Sequence, residues 1–310
     1  MRVYDINYSN NISQNNTRTN FKGVAYNPEG IKSTINPAAI YINKFMSRTL
    51  ATSKRNIQVP NCNIAPLTHV IQLRDNKGNG TYAWDINDGT REKYVIVMHG
   101  LSQNITTIQH LYQQIIEKTD YAVLAPEYRS FGENPIEKIK PSTFLEDNTR
   151  ALEYLKHQKN ISPENIRIIG YSFGGSPATQ LAINNPDLEG LILVSAADSM
   201  NNGSVNIDSS FQKKLPKIVR IMYNQLSFLK KPFNSFLCTE KYLKHSKLPV
   251  DLIHSENDKT VLVSASSHLA SAAGANIKNR IILPSGGHAL DSEKIAAIVT
   301  LLNPQVKTTY

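Results

Sequence analysis

From about residue 67 onward, segments with the hydrophobic pattern of buried strands alternate with segments that have the hydrophobic spacing of helices. Short apolar runs rich in β-branched residues are typical of buried strands, and the segments between them repeat apolar residues at helical spacing. The pattern opens with a predicted antiparallel pair, THVIQLRD and TYAWDIND. The later predicted strands are YVIVMH, YAVLAPE, IRIIGY, LEGLILVSA, LPVDLIHSE and NRIILPSG, and the predicted helices span 106–118, 142–157, 176–183, 261–273 and 291–302.

Strands that alternate with helices predict an α/β fold, because a helix between two parallel strands makes a right-handed crossover and covers one face of the sheet. We therefore expect a mostly parallel, doubly wound sheet with helices on both faces. In such sheets the functional groups lie at the carboxyl ends of the strands. The loops that follow the strands are consequently the segments in which to look for chemistry.

Two segments interrupt this alternation. Residues 1–60 form a polar arm rich in Asn, Ser and Thr, which we predict to be mobile, with one amphipathic helix over 38–50. Residues 199–245 form an insertion with apolar residues spaced for one helix face. The remaining segments, 61–198 and 246–310, are the predicted core.

The net charge of +9 is concentrated in two places. Residues 1–60 carry 8 basic and 2 acidic residues, and residues 211–250 carry 9 basic residues and 1 acidic residue. Such segments attract an anionic membrane surface or an acidic partner, or they serve as solvated faces. No nucleic-acid-binding motif accompanies them, so nucleic acid is not an expected partner.

The composition is that of a globular enzyme, with 40% hydrophobic and 19% charged residues. No apolar run approaches the roughly 18 residues that span a bilayer, and residues 1–20 lack the apolar centre of a secretory signal. We therefore expect a cytoplasmic protein, although the polar arm leaves export as an effector open. Cys62 and Cys238 are too few for a disulfide framework and lack metal-ligand spacing, and no cofactor is expected.

The stretch RIIGYSFGG places Ser172 between two glycines directly after an apolar run. Gly170 and Gly174 complete a G-x-S-x-G pattern, in which a strand turns sharply into a helix and holds the serine exposed in a strained conformation. The predicted strand and helix on either side supply that context. A glycine-rich turn without chemistry has the same pattern, so the assignment depends on partners for the serine.

A serine nucleophile needs a base, and the base needs an acid that orients it. The loop after LPVDLIH contains Asp258, and the loop after the last strand contains His288, which gives the chain order serine, acid, histidine. Glu256 is the alternative acid, but Asp258 lies four residues after His254 and fits the loop better. The other histidines lie on predicted strands, predicted helices or the basic segment.

Two backbone N–H groups are expected to stabilise the oxyanion. One belongs to Phe173, directly after the nucleophile. The other belongs to Leu101, in the loop after YVIVMH, where His99 and Gly100 let the chain turn inward. We expect the His99 side chain to brace this loop rather than to transfer protons.

With HGLSQN, YRSFG, ISPENIRIIGYSFGG, HSENDKTV and GGHAL in this order, residues 66–310 resemble the α/β-hydrolase superfamily. Within it they are similar to the small serine hydrolases that include membrane-associated, depalmitoylating thioesterases and their bacterial relatives. The resemblance implies an α/β-hydrolase fold with the nucleophile, base, acid and oxyanion donors named above. It also implies structural roles for Tyr128, Arg129 and Gly132 beside the site.

Three features depart from the family pattern: Ser255 stands where the acid loop usually has glycine, the membrane-anchoring cysteine cluster is missing, and the polar arm has no counterpart. The resemblance also implies that the insertion folds over the site as a cap. From their charge, we expect the lysines of this cap either to favour an anionic substrate or lipid surface or to form a solubilising surface. The apolar positions of this cap are Leu215, Ile218, Val219, Ile221, Met222, Leu226 and Leu229, and its lysines are Lys213, Lys214, Lys217, Lys230, Lys231, Lys241, Lys244 and Lys247.

The sequence therefore predicts a serine hydrolase that cleaves an ester or thioester through an acyl-enzyme. The expected substrate is a small-molecule or lipid-like acyl compound. An amidase or peptidase would use the same residues. A non-catalytic binding protein or a secreted effector is the alternative from another class, because a fold does not by itself imply a function.

Overall fold

The computed structural model describes residues 60, 63–74, 80–101, 103–134, 141–199, 202, 204–205 and 239–305, together with the backbone of 3–4. The predicted helix over 38–50 lies outside the described residues, as does nearly all of the polar arm. The same is true of 206–238, which contain the apolar face of the insertion and most of its lysines. The predictions for these segments therefore stay predictions.

The described strands form one nine-stranded sheet. They are β1 (Val3–Tyr4), β2 (Thr68–Arg74), β3 (Gly80–Ile86), β4 (Lys93–Met98), β5 (Tyr121–Pro126), β6 (Ile166–Tyr171), β7 (Gly190–Val194), β8 (Val250–Ser255) and β9 (Ile277–Leu283). Their order across the sheet is β1-β2-β3-β5-β4-β6-β7-β8-β9. Only β3 runs antiparallel to its neighbours, which confirms the predicted opening pair and the mostly parallel sheet.

Helices cover both faces of this sheet. They are α1 (Gln109–Lys118), α2 (Pro141–Glu153), α3 (Gly175–Asn184), α4 (Thr239–Leu243), α5 (Ser264–Ala273) and α6 (Ser292–Leu302). On β4, Tyr94 and Ile96 pack in one hydrophobic cluster with residues of α2 to α5, whereas Val95 and Val97 pack in a second cluster with residues of α1 and α6. Because alternate residues are buried on opposite faces, the central strands have continuous apolar sequences.

The structure differs from the prediction at several boundaries. Helix α1 begins at Gln109 rather than at 106, because Asn104 Oδ1 accepts the N–H groups of Thr106 at 3.0 Å and Thr107 at 3.1 Å and holds the chain in a turn. Helix α5 begins at Ser264 rather than at 261. The sheet also has one strand more than predicted, since β1 pairs in parallel with the edge of β2.

The parallel strands all end on the same side of the sheet. The loops after β4, β6, β8 and β9 therefore meet there, and each carries at least one residue singled out from the sequence. Within the described residues, no helix is both long enough and apolar enough to cross a bilayer.

Candidate active site

Ser172 lies at the abrupt turn from β6 into the helical turn that precedes α3. Its φ is 54°, in the left-handed region that is unfavourable for residues with a Cβ, and its side chain is partly exposed. A Cβ on Gly174 would lie 2.2 Å from the Met98 carbonyl oxygen, and one on Gly170 would lie 2.8 Å from the Gly175 Cα. Glycine is therefore required on both sides, as the elbow pattern predicts.

The structure brings Ser172, His288 and Asp258 into one hydrogen-bonded chain. Ser172 Oγ lies 2.9 Å from His288 Nε2, and His288 Nδ1 lies 2.8 Å from Asp258 Oδ2. Because an ionised carboxylate only accepts hydrogen bonds, Nδ1 carries the proton that points to Asp258. In the neutral imidazole Nε2 is then free to accept the serine hydroxyl proton.

Asp258 is held as a carboxylate by its surroundings. Its Oδ1 accepts the N–H groups of Thr260 and Val261, each at 2.9 Å. Burial favours the neutral acid, but the hydrogen bonds from His254 and His288 outweigh it and hold the pKa of Asp258 well below its usual range. The alternative acid, Glu256, is exposed, and its N–H pairs with the Leu283 carbonyl on β9.

His254 supports the loop of the acid, a role that the sequence pattern did not predict. Its buried Nε2 lies 2.8 Å from the Val261 carbonyl oxygen and 3.5 Å from Asp258 Oδ2. It thus ties the end of β8 to the loop that carries the acid. In the sequence, only the four-residue spacing from His254 to Asp258 could have indicated this contact.

A second set of residues, whose role the sequence analysis did not predict, holds the loop that carries His288. Tyr171 donates its hydroxyl to the His288 carbonyl oxygen at 2.7 Å, and its ring stacks on the imidazole at 5.7 Å between centroids. Asn257 Oδ1 accepts the Gly287 N–H at 2.8 Å, and Lys294 Nζ donates to the Gly287 carbonyl oxygen at 2.9 Å. For Lys294 the sequence did carry a signal, because it shares a helix face with the apolar residues three and four positions later.

The predicted oxyanion loop lies against the nucleophile. A Cβ on Gly100 would lie 3.3 Å from Ser172 Cβ and 3.1 Å from Gln103 Oε1. Gln103 Oε1 accepts the Gly100 N–H at 2.9 Å and so fixes the start of this turn. Leu101 follows in the turn and is partly buried, and the Phe173 side chain packs on the core directly after Ser172. Their role as oxyanion donors stays a prediction.

His99 is buried beneath this loop. Its Nε2 lies 2.7 Å from Glu127 Oε1 and its Nδ1 lies 2.9 Å from the Gly100 carbonyl oxygen. Glu127 Oε2 accepts the Ile105 N–H at 3.1 Å, and the Tyr128 hydroxyl donates to the His99 carbonyl oxygen at 3.0 Å. These contacts are those of a brace, which agrees with the expected role of His99.

The loop of the YRSFG motif is also held by structural contacts. The Arg129 side chain donates to Asp147 Oδ1 at 2.8 Å and to Glu146 Oε2 at 2.7 Å, and it thereby fastens the loop to α2. Gly132 has a φ of 54°, which favours glycine at this turn. Among the described residues, no group of three or more His, Cys, Asp or Glu side chains is placed to hold a metal ion.

The chain is similar to several known proteins. Residues 89–241 match the protein family described as serine aminopeptidase, S33. The chain is 24% identical to protein YfhR of Salmonella typhimurium over 202 residues, which are 63% of this chain and 63% of YfhR. It is 22% identical over 249 residues to protein L404 of Acanthamoeba polyphaga mimivirus, named an alpha/beta hydrolase, with coverage of 80% and 82%.

Among solved structures, the chain is similar to the esterase Pf2001 of Pyrococcus furiosus. The TM-score is 0.60 at 18% sequence identity, and the superposition covers 81% of this chain and 96% of the esterase. At this identity the likeness shows a common fold. The match to YfhR spans less than two thirds of that protein.

Proposed function

We propose that the chain is a hydrolase of the α/β-hydrolase superfamily and that it cleaves an ester or thioester of a small-molecule or lipid-like acyl compound. The observation that carries the proposal is the hydrogen-bonded chain from Ser172 Oγ through the His288 imidazole to Asp258 Oδ2. The left-handed backbone of Ser172 and the partial exposure of its side chain support it.

In the proposed mechanism Ser172 Oγ attacks the acyl carbon while His288 Nε2 takes its proton. The negative charge that develops on the carbonyl oxygen is stabilised by the N–H groups of Leu101 and Phe173. Asp258 holds the imidazole in the required tautomer and stabilises the imidazolium.

His288 then returns the proton to the leaving alcohol or thiol, and the acyl group remains on the serine. A water molecule, deprotonated by the same imidazole, attacks the acyl-enzyme and releases the acid. The proton passes back to Ser172 Oγ as that bond breaks. Apart from the substrate and this water molecule, the proposed cycle uses the side chains and backbone groups of the site.

The first experiment is a comparison of the wild type with Ser172→Ala. The purified proteins are treated with a fluorophosphonate probe and with p-nitrophenyl esters of short and long acyl chains. We expect the variant to lose labelling and at least about 10³-fold in kcat, because the nucleophile has been removed. Ser271→Ala, at an exposed serine on α5, is the matched control and should label and turn over as the wild type does.

Equal turnover by the wild type and Ser172→Ala would overturn the proposal. A folded wild type that neither labels nor turns over would favour a binding protein that kept the fold. The chain-length preference of the active enzyme would define the acyl pocket.

An amidase or peptidase is the second candidate, because the matching family is described as serine aminopeptidase. The same site serves that reaction if the leaving amine accepts its proton from His288. Matched p-nitrophenyl ester, thioester and p-nitroanilide substrates with one acyl group separate the two activities. A kcat/KM for the anilide equal to or above that for the ester would favour the amidase.

A further inference from the structure

A buried lysine that the proposed mechanism does not use lies beneath the loop that carries His288. Lys294 is in the first turn of α6, and its side chain is 0% exposed. Lysine is almost never fully buried without a partner, because removing an ammonium group from water costs a large free energy. Such a residue next to the proposed base indicates a specific role.

The contacts of Lys294 lead directly to the base. Its Nζ donates to the Gly287 carbonyl oxygen at 2.9 Å, and this carbonyl belongs to the peptide unit that continues into His288. Asn257 Oδ1 accepts the Gly287 N–H at 2.8 Å. The residue before the base is thus held through its N–H by the acid loop and through its carbonyl by α6.

Asp291, the counter-ion of Lys294, also packs closely against the loop that carries His288. Asp291 Oδ2 lies 3.5 Å from Nζ, and Asp291 Oδ1 accepts the Lys294 N–H at 3.0 Å as the N-cap of α6. A Cβ on Gly286, whose φ is 94°, would lie 1.8 Å from Asp291 Oδ2. The loop therefore packs directly on the ion pair and requires glycine there.

The charges around this lysine include those of the proposed catalytic groups. Asp291 and the exposed Glu293 face it from its own helix, and Asp258 faces it from the loop after β8. Burial lowers the pKa of Lys294, and these three carboxylates act in the opposite direction. The His288 imidazole contacts Asp258 through Nδ1 and stacks on Tyr171, and its backbone follows the lysine-bound carbonyl of Gly287 directly.

We propose that Lys294 is a positioning residue for His288. It holds the backbone that carries the imidazole through the Gly287 carbonyl, and the ion pair that it forms with Asp291 places a balanced pair of charges beneath that backbone. This inference rests on the proposed hydrolase function, since the base is that of the serine mechanism.

Three variants test the proposal: Lys294→Met, Asp291→Asn and the double variant. The readouts are kcat and KM on p-nitrophenyl butyrate from pH 5 to 9 and the NMR titration of the His288 imidazole, assigned with His288→Gln. For Lys294→Met we expect kcat on the alkaline plateau to fall about tenfold with KM within about twofold, because the base is held less firmly. The acid limb of kcat/KM and the imidazole titration should both move up by about 0.5–1 pH unit, because Asp291 is left without its cation.

Asp291→Asn should move both readouts in the opposite direction, since asparagine keeps the N-cap while the lysine loses its counter-charge. The double variant should return the titration close to that of the wild type. A lysine with only a packing role would not produce shifts of opposite sign. Lys159→Met is the matched control, because it removes a lysine that pairs with the buried Asp85 at 3.2 Å, and it should leave the acid limb unchanged.

Unchanged titrations in both single variants, or shifts in the same direction, would overturn the inference. If Lys294→Met does not fold, as judged by circular dichroism and urea unfolding, the inference is tested by the direction in which Asp291→Asn shifts the His288 titration. Failure of the proposed function is recognised separately, because turnover would then not depend on Ser172. The NMR titration needs no turnover and still tests the effect of Lys294 on His288.

Discussion

Asp258 illustrates how the surroundings of one side chain define its role. Burial alone would favour its neutral form, yet two backbone N–H groups and two histidines donate to it or lie beside it. The carboxylate therefore remains ionised at neutral pH and can orient the imidazole. Exposed Glu256, two residues earlier, has none of these surroundings.

This contrast gives a matched pair of variants. Asp258→Asn should lower kcat by about 10⁴-fold, because an amide group can present its NH₂ to Nδ1 and favour the wrong tautomer. Glu256→Gln should remain within about twofold of the wild type. Steady-state kinetics with a p-nitrophenyl ester measure both, and a larger loss in Glu256→Gln would reject Asp258 as the acid.

The turn between β6 and α3 packs very closely against the end of β4. Gly174 has a φ of −59°, which any residue adopts, so its importance comes from close packing and not from conformational freedom. An added methyl group would meet the Met98 carbonyl oxygen of β4 at 2.2 Å. Gly274, after α5, is the opposite case, with a φ of 55° and no atom within 4 Å of an added Cβ.

We therefore expect Gly174→Ala to lower the free energy of unfolding by about 3 kcal/mol, because overpacking forces β4 and the elbow apart. The control Gly274→Ala should cost about 2 kcal/mol, since it adds only backbone strain, at a φ of 55° and a ψ of −126°. Urea unfolding monitored by circular dichroism gives both values. A neutral or stabilising effect at Gly174 would show that the strand and helix are not in tight contact there.

Across the whole molecule, one buried carboxylate joins the ends of the insertion to the core. Asp198, just after β7, accepts hydrogen bonds from His268 on α5 at 2.7 Å, from Asn202 at 2.8 Å and from Ser204, and its carbonyl accepts the Glu240 N–H of α4 at 3.2 Å. Burial favours the neutral acid, but the hydrogen bonds from Ser204, Asn202 and His268 hold the pKa of Asp198 below its usual range.

This lowered pKa has a consequence for stability against acid. A carboxylate with a lowered pKa in the folded state stabilises the fold above its unfolded pKa of about 3.9, and this contribution is lost as the pH falls through the folded value. Asp198→Asn should therefore lower the free energy of unfolding by about 2–3 kcal/mol at pH 7, and the difference from the wild type should shrink below about pH 4.

Urea unfolding at pH 7, 5 and 3 measures this difference. Asp187→Asn, at an exposed aspartate after α3, is the control and should match the wild type at each pH. A difference for Asp198→Asn that stays constant down to pH 3 would contradict the role of its ionised form.

Much of the fold could be predicted from local patterns. The runs YVIVMH and IRIIGY became β4 and β6 because residues buried on both faces of a sheet must be apolar throughout, and this property is visible in the sequence. Helix boundaries were less well predicted, since the start of α1 depends on the side chain of Asn104 and the start of α5 on the preceding turn. The parallel pairing of β1 with β2 joins residues far apart in the chain and has no local signal.

The sequence by itself determined the fold class and the residue types available at the end of each strand, because periodicity and turn glycines are local properties. It also supplied the order Ser172, Asp258, His288. Only the tertiary structure decided which atoms meet, since these residues are distant in the chain and their distances depend on the packing of the whole sheet. The same holds for Lys294, whose burial and contact with Gly287 arise from the docking of α6 on the strands and loops around it.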